Sequence, residues 1–145
     1  RVNDFAHIRA SLGLLNSRYS GYNSPAGEDL NGRDQAHAPS YQYSASATFG
    51  GVSDWFGDIS IQGQDGFYFS DTHDFQSDAH ALINLGLGRF IGDFEAHFWI
   101  KNLFDQEYSV RGFFFGNDPR TGYADTGWTQ MGNPRQFGIS IRKDF

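Results

Sequence analysis

Cysteine is absent from the chain, so neither a disulfide framework nor a thiolate metal site is available to it. Charge is sparse. Asp, Glu, Lys and Arg make up 19% of the residues, too few for a tail held disordered by like charges. A basic surplus is missing as well. The net charge is −6, nothing would neutralise a run of phosphates, and no nucleic-acid partner is expected. No long apolar run occurs and the mean hydropathy is −0.53, so no transmembrane helix is expected. That absence leaves the membrane itself open. A lipid-facing β-barrel alternates polar and apolar residues, and its average hydropathy is unremarkable.

Aromatic residues and glycine are abundant instead. The 145 residues, about one domain's worth, include 15 Phe, 7 Tyr, 3 Trp and 18 Gly. Two readings fit a chain that is rich in both yet polar on average: a soluble β-sandwich or outer-membrane barrel material. The chain opens at Arg1 without Met, and Phe5 and Ile8 already belong to a strand-like run. A processed or truncated start is expected. At the other end the strand pattern runs to Phe145, where most soluble domains finish in loose polar residues.

Period-two alternation marks strands with unlike faces. Tyr41, Tyr43, Ala45, Ala47 and Phe49 oppose Gln42, Ser44, Ser46 and Thr48. Phe137, Ile139 and Ile141 alternate with Gln136, Gly138, Ser140 and Arg142. Ala79, Ala81, Ile83, Leu85 and Leu87 share a face against His80, Asn84, Gly86 and Gly88, with Leu82 as an exception. Phe94, Ala96, Phe98 and Ile100 oppose Glu95, His97, Trp99 and Lys101; Trp55, Ile59 and Ile61 oppose Asp58, Ser60 and Gln62; Ile8, Ala10, Leu12 and Leu14 oppose Arg9, Ser11 and Gly13. About six antiparallel strands are expected. No segment has a helical period, so the chain reads as all-β.

The connections alternate in length. Gly50 to Asp54 and Ile91 to Asp93 read as short turns. Ser20 to Ser40, Asp71 to Asp78 and roughly Ser109 to Pro134 read as long loops. Turns at one end and loops at the other is the arrangement of outer-membrane barrels. The polar faces carry Ser, Gly, Gln, Thr and Asn rather than the Lys and Glu of a face in bulk water, which suits a confined wet lumen. Phe49, Trp55, Phe94 and Phe145 fall beside the short turns or the terminus, and Tyr41 and Tyr43 at the long-loop end. Two aromatic bands match interfacial girdles; they also fit the ends of a sandwich core. Six strands are too few to close, since the smallest such barrels have about eight. An open sheet in lipid would leave its edges unsatisfied, so the chain is expected to be part of a larger barrel or one piece of an assembly, and the abrupt start favours the first.

Three stretches carry a resemblance. They are Leu30-Asn31-Gly32-Arg33 followed by Ala38-Pro39; Lys101-Asn102-Leu103-Phe104-Asp105 ending at Tyr108; and Gly132-Asn133-Pro134-Arg135-Gln136-Phe137-Gly138 leading into the last strand. In this order and spacing, covering about Asp4 to Phe145, they resemble the C-terminal barrel of TonB-dependent outer-membrane receptors. The resemblance implies an antiparallel transmembrane β-barrel of twenty-two strands, with residues 1–145 supplying the last six. A plug domain and a TonB-contacting segment, the TonB box, would lie outside this stretch. It implies a place in the outer membrane of a Gram-negative bacterium. The implied partners are lipid and lipopolysaccharide, the plug and remaining strands, the TonB-ExbB-ExbD system and the barrel-assembly machinery. Phe145, with Ile141, Ile139 and Phe137 at alternate positions, resembles the terminal signal that this machinery reads. Lys143 interrupts the series and would snorkel to the headgroups. Pro39 and Pro134 stand just before strands, where a missing N–H is harmless. Asn102 and Asp105 suit a bulge or rim turn.

Catalytic chemistry is not expected, and no cofactor is implied. Asp71, His73, Asp74, Asp78 and His80 are the nearest approach to a metal cluster, but their spacing is irregular and a solvated loop is the plainer reading. Glu95, His97 and Lys101 share a polar face and suit a hydrated pathway, a plug contact or a structural hydrogen-bond network. The run Phe113-Phe114-Phe115 would be unusual in open water. Loop aromatics Tyr19, Tyr22, Phe113, Phe115, Tyr123 and Trp128 are candidates for an organic ligand; packing among loops is the alternative. The expected function is import of a scarce nutrient such as a ferric siderophore, cobalamin or glycan. Two other readings stay open: a soluble carbohydrate-binding β-sandwich, and a non-transport outer-membrane β protein.

Overall fold

The computed structural model describes residues 5–52 and 54–143. Eight strands run through them: β1 (Ala6–Leu14), β2 (Tyr41–Val52), β3 (Trp55–Gln64), β4 (His80–Ile91), β5 (Phe94–Lys101), β6 (Ser109–Phe115), β7 (Thr126–Met131) and β8 (Gln136–Lys143). The chain is all-β, with one 3₁₀ turn at Pro119–Thr121. Strands β1, β2, β3, β4, β5 and β8 form a single antiparallel sheet in that order, and β6 pairs with β7 in a separate hairpin. The six periodic segments are thus the six strands of the sheet. Two expectations need correcting. The stretch from Ser109 to Pro134 is not one loop but holds the β6–β7 hairpin. The first turn is also tighter than Gly50 to Asp54, because β2 continues to Val52 through a bulge opposite Trp55 and Phe56.

The turns follow from local chemistry. Ile91 pairs directly with Phe94, leaving Gly92 and Asp93 as a two-residue hairpin loop. Gly92 has φ 60°, and glycine at the first central position is what a type II′ turn requires. The long connections, residues 15–40, 65–79 and 102–135, all lie at the opposite end of the strands from the two tight turns.

The register places every strand's apolar set on one face. Ile8 pairs with Ala47, Ala47 with Ile59, Ile59 with Leu85, Leu85 with Ile100 and Ile100 with Phe137. The neighbouring row runs through Phe49, Gly57, Leu87, Phe98 and Ile139. No described residue covers this face: Phe137 and Ile139 are 71% exposed and Ile141 72%. A sandwich would pack Ile139, Ile141, Leu85 and Leu87 between two sheets; here Leu87, Ile139 and Ile141 stand open. Phe49, Trp55 and Phe94 sit on the same face beside the tight turns, and Tyr41 and Tyr43 at its other end. Phe145 lies outside the described residues.

The other face is polar through its middle, with Ser11, Ser44, Gln62, Ser60 and Asn84 in adjoining positions. A hollow of about 400 Å³ opens on it beside Ser11, Gln42, Ser44, Gln62, Gln64 and His80. Leu82, the exception to the alternation, sits on this face opposite Gln62 and is buried. Nearer the tight turns the polar face also carries rings: Phe56 lies 5.1 Å from Phe90 and 5.6 Å from His97.

Aromatics and glycines account for one another. Tyr43 is the register partner of Gly63, Phe49 of Gly57, Phe56 of Gly88 and Trp99 of Gly138. In each pair the ring lies over the glycine where a Cβ would stand. A flat ring fills the notch left by the missing side chain, the rescue of sheet glycines by cross-strand aromatics.

Candidate ligand-binding loops

The tightest apolar packing in the molecule is in its loops. Apart from Leu82, the buried hydrophobic residues are Leu30, Phe67 (7% exposed) and Phe69 (4%), none of them in a strand. Residues 65–79 double back on themselves: Phe69 N–H donates to the Phe75 carbonyl, Ser77 N–H to the Phe67 carbonyl, and Phe67 N–H to Ser77 Oγ. Folding back brings Phe67, Phe69 and Phe75 together, with ring centroids 5.5 and 5.2 Å apart. His37 of the first loop caps the pair Phe67 and Phe69. From the hairpin, Phe114 stands edge-on to Phe75 and stacks flat on His73 at 3.8 Å. Gly112 lies under the Phe69 ring and Gly127 against Phe75. All three long connections therefore share one aromatic core.

Arg33 ties two of them. Its Nη1 donates to Asp74 Oδ1 at 2.7 Å, its Nη2 donates to the His73 carbonyl, and its guanidinium lies 4.0 Å above the Tyr68 ring. Asn102 anchors the third. It is buried, with φ 51°, a left-handed conformation that asparagine tolerates better than most residues. Asn102 N–H donates to Asn84 Oδ1 at 3.0 Å, its Oδ1 accepts from Gln106 N–H, and its Nδ2 donates to the Gln106 and Asn133 carbonyls. One side chain thus joins the end of β5 to the approach to β8. Asp105, also at positive φ, accepts from Arg135 N–H at 2.7 Å. The rim turn expected at Asn102 and Asp105 is present, and its hydrogen bonds reach across the connection rather than only within the turn.

The acidic and histidine residues between Asp71 and His80 do not gather into a cluster. Asp74 pairs with Arg33, and His73 Nδ1 lies 2.8 Å from Ser70 Oγ with its ring on Phe114. His80 packs on Tyr108, and Asp71 accepts from Ala36 N–H. Among the described residues no group of three could share a metal. Asp71, His73, Asp74 and His80 are engaged one by one, while the Asp78 side chain stands exposed as a solvated loop would have it. Glu95, His97 and Lys101 are on the polar face as expected, but His97 turns to Asp58, with Nε2 to Oδ1 3.5 Å, and Lys101 lies over Trp99 at 5.6 Å.

The six loop aromatics separate into three groups. Phe113, Phe115 and Trp128 come together. Phe113 and Trp128 are register partners on the hairpin, and the rings form a ladder, Phe113 to Phe115 5.4 Å and Phe115 to Trp128 5.8 Å. The ladder occupies the hairpin face opposite Phe114, and its rings stay 41–42% exposed. The triple Phe therefore divides, its middle ring packed inward and its outer two presented. Tyr19 and Tyr22 stack on each other at 5.0 Å in the first loop. The Tyr19 phenol is held above the usual tyrosine range, chiefly by its hydrogen bond to the Asp71 carboxylate, then by desolvation and by that carboxylate's charge. Tyr123 stands exposed near the hairpin tip at φ 61°, in contact with no other ring among the described residues. The tip itself is built by Asp118, whose carboxylate accepts from Arg120 N–H and from the Arg120 guanidinium at 2.8 to 3.2 Å. Those bonds hold Asp118 below the usual carboxylate range and Arg120 above its own.

No protein-family model matches the chain, and no solved structure matches it.

Proposed function

We propose that the chain is a stretch of outer-membrane barrel wall, the C-terminal part of a TonB-dependent receptor that imports a scarce nutrient. The observation that carries this reading is the uncovered apolar face of a single sheet. In water, each exposed Ile, Leu or Phe there would forgo about 1.5–3 kcal/mol of burial. In lipid the same face is at home, and a wet lumen suits the Ser and Gln of the opposite side. Strand length agrees. The six strands of the sheet have 9, 12, 10, 12, 8 and 8 residues, around the roughly 9–11 that cross a bilayer at a tilt. Loop packing supports the orientation. Connections locked together by an aromatic core belong on the side that meets a ligand, and the tight turns on the side that meets the periplasm. The two edge strands, β1 and β8, are where further strands would join.

The reading has two separable tests. The full-length protein should fractionate with the outer membrane, and deleting Phe145 should reduce its surface display; unchanged display rejects the terminal signal. Growth of a deletion strain on ferric siderophores, cobalamin or glycans should fail on one nutrient in a TonB-dependent way. Growth unimpaired on all of them rejects the receptor.

A further inference from the structure

The long-loop end concentrates charge in a way that singles out one residue. Residues 15–40, 65–79 and 102–135 together hold eleven carboxylates and five arginines, an excess of acid equal to the whole chain's net −6. Four of those arginines are taken by the chain's own carboxylates: Arg18 by Asp34, Arg33 by Asp74, Arg120 by Asp118 and Arg135 by Asp105. The fifth, Arg111, is exposed and makes no ion pair among the described residues.

The register fixes where Arg111 stands. It pairs with Gln130, two residues along from the Phe113–Trp128 pair, on the hairpin face that carries the aromatic ladder. Thr126, opposite Phe115, closes the other end of that face. The inner face is committed to the loop core through Gly112 and Phe114. The outer face is a strip of half-exposed rings with a free guanidinium at one end and hydrogen-bonding side chains at both. Aromatic faces favour planar π-systems. A guanidinium fork matches a carboxylate in plane and charge. The surrounding acid repels ligands of high negative charge, while a single carboxylate meets the Arg111 guanidinium.

We propose that the outer face of the β6–β7 hairpin binds a planar aromatic ligand carrying one carboxylate. As the cargo of an importer this rests on the receptor reading; as a binding site it does not. Calorimetric titration of the full-length protein, folded in zwitterionic detergent micelles, with indole-3-acetate and with its neutral amide separates the terms. The acid should bind about tenfold more tightly than the amide, the usual worth of a charge-assisted hydrogen bond. Arg111→Gln should erase that preference and leave amide binding unchanged. The double change Phe113→Ala and Phe115→Ala should weaken both ligands alike. Arg111 is exposed, so its variant keeps the strand circular-dichroism signal, and any partitioning into the micelle persists in it unchanged. Equal affinity for acid and amide overturns the proposal, as does a preference that survives Arg111→Gln or an absence of saturable binding. A protein that binds the acid but never reaches the outer membrane would reject the receptor reading and keep the site.

Discussion

Gly57 is a position where a single methyl group decides packing. A Cβ there would collide with the Phe49 ring and the Gly86 carbonyl, and the carbonyl belongs to the next strand and cannot yield. Gly57→Ala should cost about 1–3 kcal/mol of overpacking, read as a lower urea midpoint for unfolding from lipid vesicles. Gly92→Ala, at a turn with open space around it, should cost only backbone strain and shift the midpoint less. Titration offers a second check at this scale. Asp118 is held ionised by Arg120, so its contribution to the hairpin tip is complete above the ordinary carboxylate range. That contribution is lost as the pH falls through the lowered value of the folded state. Acidification should therefore free the Arg120 and Gly122 amides to exchange with deuterium before the strands are affected, and equal protection at low and neutral pH would contradict this. The ring-over-glycine pairs also explain a composition that reads as two unrelated surpluses. The aromatic excess and the glycine excess are visible as counts, but their pairing is a matter of register between strands, which no local pattern carries.

Among the elements, the six strands of the sheet were legible because each has unlike faces, and alternation records that directly. Their order and the sorting of short and long connections follow from the same pattern. The hairpin was not legible, for a physical reason. Gly112 and Phe114 pack inward while Phe113 and Phe115 face out beside Arg111, so apolar residues fall on both faces of β6 and the alternation vanishes. In β7, Trp128 alone marks the outer face opposite Phe113. The loop core was hidden too: His37, the segment from Phe67 to Phe75, and Phe114 are far apart in sequence, and only the folded connections bring them together. Phe113, Phe115 and Trp128 were singled out as loop aromatics and converge, whereas Tyr19 and Tyr22 form a pair of their own and Tyr123 joins neither. Because Phe114 is the ring that joins the hairpin to the His73–Phe75 segment, Phe114→Ala should detach it. Limited proteolysis should then cut residues 109–131 several-fold faster while the sheet keeps its unfolding midpoint. Unchanged cleavage would show that the hairpin is held by something else.

For the whole molecule, the distribution of apolar surface is inverted relative to a protein with one central core. The sheet exposes its apolar face, while Leu30, Phe67 and Phe69 are buried in the loops. Such a molecule needs an apolar surrounding on one side of the sheet and water on the other. Lipid and a second protein layer both exclude water from Ile139 and Ile141, but only lipid dissolves oxygen there and leaves room for it. Cysteine is absent from these 145 residues, so single cysteines placed among them meet no background from this stretch. Spin labels at positions 137 to 141 of the full protein in lipid vesicles, relaxed by oxygen and by a water-soluble nickel chelate, test the account most directly. The account predicts a period of two: oxygen access without nickel access at Phe137, Ile139 and Ile141, and the reverse at Gly138 and Ser140. Low access to both reagents at Ile139 and Ile141 would mean that protein covers the face, and would contradict it.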